Sequence, residues 1–433
     1  MRLSVIGCGY LGAVHATAMA SIGHEVVGFD VDADKIGRLA AGEAPFFEPG
    51  FDELLRDTLA TGRLTFSTDP SDLAAAQVHF IAVGTPQRED GDGADLRFVD
   101  AAVLGLLPVL SDGDVVVGKS TVPVGTAQRL ADIVAPTGAL LLWNPEFLRE
   151  GFAVQDTLEP DRIVYGTADP EGPGVAILDE VYAKALAAGI PRLVTDFPTS
   201  ELVKVAANAF LATKISFINA MSEIADATGA DVTQLADAIG HDVRIGRRFL
   251  NAGVGFGGGC LPKDIRAFAT RAEELGHGRA LRFLREVDEI NLRQRNRLVD
   301  VVSEELGGSV AGRRIAILGL AFKPNSDDTR DSPALDIATR LHGLGADVIS
   351  YDPEAVETAR RVRPHLTYAR TADEALAGAE ATVVVTEWEQ FRQLDPETTA
   401  ELVADRLIID GRNCLDAGRW RAAGWSYRGL GRR

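Results

Sequence analysis

"RLSVIGCGYLGAVHATAMASIGHEVVGFDVD", from Arg2 to Asp32, decides the fold. Arg2 to Ile6 is a short run of β-forming residues, Ala13 to Ile22 reads as a helix, and Glu25 to Phe29 is a second strand ending at Asp30. Gly7, Gly9 and Gly12 put G-x-G-x-x-G at the junction of strand and helix. Gly7 permits the turn, Gly9 lets backbone approach a pyrophosphate, and Gly12 lets helix and strand pack closely, with the helix N-terminus facing the phosphates. Asp30 stands where an acid accepts hydrogen bonds from the adenosine ribose hydroxyls and repels a 2′-phosphate, which predicts NAD rather than NADP. A glycine turn alone is a weak signal; with both strands, the helix and the acid it is specific.

The alternation continues outward. "VHFIAVGTP" (Val78 to Pro86), "DVVVGKSTVP" (Asp114 to Pro123) and "ALLLWNPEFLREG" (Ala139 to Gly151) read as buried strands running into polar turns. Thr85, Thr121, Glu146 and Glu150 follow those strand ends, where ligands bind in doubly wound sheets, although each alone could cap a turn. From Thr199 to Thr228 helical periodicity is sustained without Pro or Gly, so this segment can join two domains and pair with a second copy of itself. Lys204 and Asn208 share a face of that helix; a lysine beside an apolar stripe commonly snorkels to water. "RRIAILGLAFKPNSDDTRDSPALDIATRLHGLGADVISYDP" then repeats strand, loop, helix, strand, and a second α/β domain begins near residue 311. Its loop has one glycine and carries Lys323 and Arg330, so a different nucleotide is expected there. Arg412 stands at a later strand end. The expected architecture is α/β: two Rossmann-like doubly wound domains, 1–196 and 309–433, joined through a central helical region, 197–308.

"VGFGGGCLPKD", Val254 to Asp264, places one of only three cysteines after three consecutive glycines. A structural cysteine sits among apolar residues; this setting suits either an ordinary glycine turn or a nucleophile. Cys8, Cys260 and Cys414 are widely separated and lack metal-ligand spacing, which points to a reducing compartment, no disulfide framework and no metal. With 46% hydrophobic and 25% charged residues in 433, the composition is that of a soluble globular protein of two or three domains. The net charge of −19 argues against a nucleic-acid partner. No apolar run is long enough to span a bilayer, and "MRLSVIGCGY" opens directly on a strand pattern, so a cytoplasmic protein without a membrane partner is expected.

Taken together, "GCGYLG", "GTP", "KSTVPVGT", "NPEFLREG", "ELVKVAANAFLATKISFINAMSE", "VGFGGGCLPKD" and "AFKPNSDDTRDSP" make the chain resemble the nucleotide-sugar 6-dehydrogenases, the UDP-glucose/GDP-mannose dehydrogenase family, over nearly its whole length. The resemblance implies a four-electron oxidation of UDP-glucose to UDP-glucuronate with NAD, through a cysteine-bound thiohemiacetal and thioester. It also implies a homodimer built on the long helix. The same chemistry on GDP-mannose or a UDP-amino sugar, and a two-electron hydroxyacid dehydrogenase, are the alternatives.

Site roles follow from the resemblance. Cys260 is the implied nucleophile, and Lys204, Asn208 and Asp264 surround the reacting C6, with Asp264 as base through a water. Thr121 and Glu150 lie near nicotinamide and water, and Glu146 serves thioester hydrolysis. Tyr10, Leu11, Thr85, Lys263 and Arg330 join Gly7, Gly9 and Gly12 around the cofactor, with Asp30 and Lys35 at its ribose. Phe147, Leu148, Phe249, Asn251, Gly257, Phe322, Lys323 and Arg412 meet the sugar nucleotide beside Glu146 and Glu150, the glycines leaving room for it. Arg244 reaches the neighbouring subunit's site. Lys263 and a helix beginning near Leu261 favour the Cys260 thiolate.

Overall fold

The computed structural model describes residues 1–432. In it Arg2–Ile6 is strand β1, Tyr10–Ser21 a helix and Glu25–Phe29 strand β2. The helix starts at Tyr10 rather than Ala13 because Gly9 is its N-cap, its carbonyl accepting the Ala13 N–H at 2.9 Å. Strands β3 (Leu64–Ser67), β4 (Val78–Ile81), β5 (Val115–Gly118), β6 (Leu140–Trp143), β7 (Ile163–Gly166) and β8 (Arg192–Thr195) complete an eight-stranded sheet in the order β3-β2-β1-β4-β5-β6-β7-β8. The first six run parallel, and the order reverses between β1 and β4, the place where a doubly wound sheet opens a crevice beyond its strand ends. β7 turns antiparallel to β6, a pairing that hydrophobic alternation does not encode. Side chains alternate between two cores: Leu3, Val5, Phe80, Val117 and Leu142 on one face, Ile6, Ile81, Val116 and Leu141 on the other.

The second sheet is wholly parallel. Its strands are β9 (Arg314–Leu318), β10 (Asp347–Tyr351), β11 (Thr367–Tyr368), β12 (Ala381–Val384), β13 (Leu407–Asp410) and β14 (Ser426–Gly429), in the order β11-β10-β9-β12-β13-β14. Asp352 follows β10 as Asp30 follows β2, but it is consumed by the protein. Its carboxylate accepts the N–H groups of Leu320, Ala321, Glu354 and Ala355 and the Trp388 indole, all within 2.7–3.0 Å. It is satisfied by protein donors, in keeping with a half whose first loop has one glycine rather than three.

The helix Phe197–Thr228 runs for 32 residues. It begins before the expected Thr199 because Pro198 lies in the first turn, where a missing N–H costs nothing. Two compact units result, residues 1–207 with 270–276 and residues 208–269 with 277–433, and the division falls within this helix. No helix among the described residues is long and apolar enough to cross a membrane.

Candidate active site

In the first unit the dinucleotide turn has the form its glycines predict. Gly7 has φ +93° and its N–H reaches Phe29 O at 2.8 Å, while a Cβ on Gly12 would lie 1.8 Å from Gly7 O. Gly9 differs: no protein atom lies within 4 Å of where its Cβ would be. The glycine at the helix N-terminus is therefore the one left open for a pyrophosphate. Asp30 is 9% exposed, and accepts the Cys8 N–H at 2.8 Å, the Asp32 N–H at 3.0 Å and the Lys35 ammonium at 2.9 Å. Cys8 is filler, as its sequence context suggests: it is fully buried, and burial pushes its thiol well up.

Asp30→Ala should relax cofactor choice. The carboxylate and a 2′-phosphate carry like charge, and Lys35 neutralises part of that repulsion. At least about tenfold discrimination against NADP, ~1.4 kcal/mol, is expected from the native enzyme and should fall in the variant. Equal kcat/KM for NAD and NADP in the native enzyme would remove this role from Asp30.

Tyr10, the first residue of the fingerprint helix, donates to Glu48. The two oxygens of Glu48 also accept the N–H groups of Gly151 at 2.6 Å and Ala153 at 2.7 Å. This link between the dinucleotide turn and the "NPEFLREG" turn is invisible to local sequence pattern, because Glu48 and its Gly151 and Ala153 partners are about a hundred residues apart.

The strand ends form a polar cluster. Thr85 donates to Thr121 O at 2.9 Å. Lys204 is buried rather than snorkelling, contrary to the usual habit of such a lysine: it is 6% exposed and its ammonium lies 3.1 Å from Glu146 Oε1. Glu146 Oε2 accepts the Leu148 N–H at 2.7 Å, which pins the turn. The Phe147 ring lies between cations, with Lys204 Nζ at 5.5 Å and Arg162 Cζ at 3.8 Å from its centroid. Leu148 packs against the core, and Glu150 is half-buried with its charge acting on Tyr10. Arg162 was not singled out in the sequence, since a lone arginine after a turn reads as a surface charge.

In the second unit Asn208 lies one turn beyond Lys204 on the long helix. Its amide donates to Asp264 Oδ2 at 2.7 Å, and Lys263 donates to Oδ1 at 2.6 Å. Asp264 is 2% exposed, so both its oxygens are held in place. Cys260 is exposed and caps the helix Leu261–Glu274, its carbonyl accepting the Asp264 N–H at 2.9 Å. That places the thiol beside a helix N-terminus, where a thiolate is favoured.

The glycines before Cys260 have a different duty from the expected one of leaving open room. A Cβ on Gly257 would lie 2.3 Å from Asp331 O, on Gly258 2.7 Å from the Phe322 ring, and on Gly259 2.4 Å from the Arg330 guanidinium carbon. They admit the chain's own "AFKPNSDDTRDSP" loop. Arg330 also pairs with Asp328 at 2.7 Å. Arg412 is held by the carbonyls of Val385, Gly255 and Phe322 at 2.7, 2.8 and 3.2 Å and by Glu387 at 3.2 Å, so it braces the same loop.

Lys323 lies over the Phe322 ring. Phe249 holds φ +65° and is 39% exposed, a conformation that costs a bulky residue ~1–3 kcal/mol and is concentrated at ligand sites. Asn251 accepts from Arg247 at 2.8 Å. Arg244 stands apart, its side chain 86% exposed and paired only with Asp242 among the contacts of the described chain.

A glycine turn open at a helix N-terminus, strand-end carboxylates and a helix-capping cysteine define a dinucleotide-binding oxidoreductase. Three domain descriptions of one family match consecutive parts of the chain: the NAD binding domain at 1–186, the central domain at 198–293 and the UDP binding domain at 316–417 of the UDP-glucose/GDP-mannose dehydrogenase family. The chain belongs to that family. It is 43% identical to a UDP-glucose 6-dehydrogenase of Bacillus subtilis over 440 aligned residues, covering all of this chain and 98% of that protein. It is 41% identical to a UDP-glucose 6-dehydrogenase of Rhizobium meliloti, covering all of both. A UDP-glucose dehydrogenase structure from Pyrobaculum islandicum superposes with a TM-score of 0.90 at 39% identity, over all of this chain and 98% of that one.

Proposed function

We propose that this enzyme oxidises UDP-glucose to UDP-glucuronate with two NAD and one water, releasing two NADH and three protons. The observation that carries the reading is Cys260, exposed at the start of a helix whose first turn holds Asp264 between Asn208 and Lys263.

The chemistry requires these groups. NAD, when bound, accepts one hydride from the alcohol and one from the aldehyde-derived adduct. Asp264 takes the C6 hydroxyl proton through a water, and Lys204 and Asn208 stabilise the oxyanion. An aldehyde has no readily transferable hydride; addition of the Cys260 thiolate makes a thiohemiacetal, which has one. Loss of that second hydride leaves a thioester. Glu146 then activates water, the C–S bond breaks, and the thiolate is restored. Gly7, Gly9 and Gly12 with Asp30 and Lys35 hold the cofactor, and Phe249, Lys323 and the loop braced by Arg412 hold the sugar nucleotide. NADH release from a panel of UDP-glucose, GDP-mannose and UDP-N-acetyl sugars tests the assignment. Two NADH per UDP-glucose, with little from the rest, is expected; preferential turnover of another nucleotide sugar would overturn it.

The active form is a homodimer in the cytoplasm. Phe210, Phe217 and Ile224 recur every seventh residue on the long helix and are 67%, 48% and 58% exposed, an apolar seam suited to a second copy of itself. Covering each is worth roughly 1.5–3 kcal/mol. Arg244, which is highly exposed and paired with Asp242, completes the partner's sugar-nucleotide site. Phe217→Glu should therefore yield monomers and lower activity by about tenfold or more, a loss typical of one missing charged contact. Sedimentation at assay concentration checks the state, and a fully active monomer would refute the shared site.

A further inference from the structure

Glu48 is a buried carboxylate to which the reaction above gives no part. It lies in "FFEPG", Phe46 to Gly50, between the helices Ala33–Ala40 and Phe51–Ala60, and is 5% exposed. Its own carbonyl accepts the Phe51 N–H at 3.1 Å, and Gly50 turns the chain with φ +74°. Two residues earlier, the Phe46 ring packs on Tyr10 with centroids 4.7 Å apart and on Phe51 at 5.3 Å. The segment is thus seated on the first residue of the fingerprint helix.

The two oxygens of Glu48 do different things. Oε1 accepts the Ala153 N–H at 2.7 Å, at the start of the helix Ala153–Leu158, where backbone donors have no acceptor within the helix. That contact is a cap. Oε2 accepts from the Tyr10 hydroxyl and from the Gly151 N–H at 2.6 Å, and the same N–H lies 3.0 Å from the Tyr10 oxygen. Gly151 precedes Phe152, the N-cap, so this second set of contacts is no part of the cap. Hydroxyl, carboxylate oxygen and peptide N–H close a triangle. Burial, with Glu48 adding to it, pushes the Tyr10 phenol well up, so the hydroxyl keeps the proton it donates.

The triangle joins two parts of the site. Tyr10 directly follows Gly9, where the backbone is open for a pyrophosphate. The Gly151 N–H belongs to the peptide that follows Glu150, in the turn that also carries Glu146, and Gly151 holds φ +80°. We propose that Glu48 is a positioning residue for the oxidation: through Oε2 it fixes the peptide after Glu150 to the first residue of the pyrophosphate-binding helix, and so holds the strand-end carboxylates in register with the bound cofactor. The inference rests on the functional reading above. A cap alone needs one acceptor oxygen and no phenol.

The test compares the native enzyme with Tyr10→Phe, Glu48→Met and the double variant, by kcat, both KM values and melting temperature. Tyr10→Phe leaves Oε1 on Ala153 and the ring on Phe46, and removes only the hydroxyl of the triangle. It should lose about tenfold in kcat, since misplacing a reacting group by about 1 Å costs up to ~10^2-fold. Both KM values should change less than about threefold, because register is felt most in the transition state. Glu48→Met removes cap and triangle together, so it should lose at least as much in kcat and also melt lower. In the double variant the kcat losses should multiply to less than their product, as for two members of one unit.

Native kcat in Tyr10→Phe and in folded Glu48→Met, even with a lower melting temperature, would make Glu48 a cap and overturn the proposal. So would losses that multiply fully in the double variant, or a raised KM for NAD with native kcat in Tyr10→Phe. If Glu48→Met does not fold, Tyr10→Phe decides alone, and a native kcat overturns the proposal. A native enzyme that releases no NADH from UDP-glucose overturns the functional reading and this inference together; an active native enzyme with unchanged variants overturns only this one.

Discussion

Cys260→Ala is expected to abolish carboxylate formation, by about 10^3-fold or more, while leaving the fold and ligand binding intact. The residue is exposed, and helix capping at this position uses its backbone carbonyl, which alanine retains. The first hydride transfer does not need the thiolate. The variant should therefore still interconvert UDP-glucose and the corresponding aldehyde slowly, because Lys204, Asn208 and Asp264 remain. Cys260→Ser separates the steps further. Its hydroxyl can add to the aldehyde but is hardly ionised at neutral pH, and the resulting ester is a poorer electrophile than a thioester. A sugar adduct should accumulate and appear as added mass on the peptide containing residue 260. If either variant released two NADH per UDP-glucose near the native rate, covalent catalysis at Cys260 would be excluded.

Glu146→Gln should stall the enzyme one step later. Its carboxylate is held from both sides, by Lys204 at 3.1 Å and the Leu148 N–H at 2.7 Å, so it is oriented without being consumed. Glutamine keeps one of these two contacts through its single amide oxygen, and it cannot take a proton from water. Loss of a general base costs about 10^2–10^4-fold. Both hydrides should leave in the first turnover, giving a burst of two NADH per active site, followed by slow release of UDP-glucuronate. The thioester should be trapped on Cys260 and visible by mass spectrometry. A slow first hydride with no burst would instead place Glu146 in the alcohol oxidation.

Much of this was legible in the chain because it depends on neighbours in sequence. The glycine spacing from Gly7 to Gly12, the strands around it and Asp30 lie within one βαβ unit, and the structure gives each the predicted place. The long helix was equally plain, since thirty residues without a breaker admit little else. Lys204 shows where such reasoning stops. A lysine on a half-apolar helix reads as a snorkelling side chain until Glu146, fifty-eight residues away, is brought within 3.1 Å.

By itself, the sequence determined the two α/β domains, the dinucleotide turn, the long helix and the cysteine that caps the helix Leu261–Glu274. Each is set by periodicity, glycine dihedrals or capping, all of which act over a few residues. Only the tertiary structure decided the electrostatics. It paired Lys204 with Glu146 and Asp264 with Asn208, tied Tyr10 to Glu48 and Gly151, and satisfied Asp352 with protein donors. It also showed that the glycines before Cys260 are filled by the loop of Phe322, Arg330 and Asp331. The reason is physical: backbone preference is a local property, whereas the cost of a charge depends on which groups surround it in space, and those come from segments scores of residues apart.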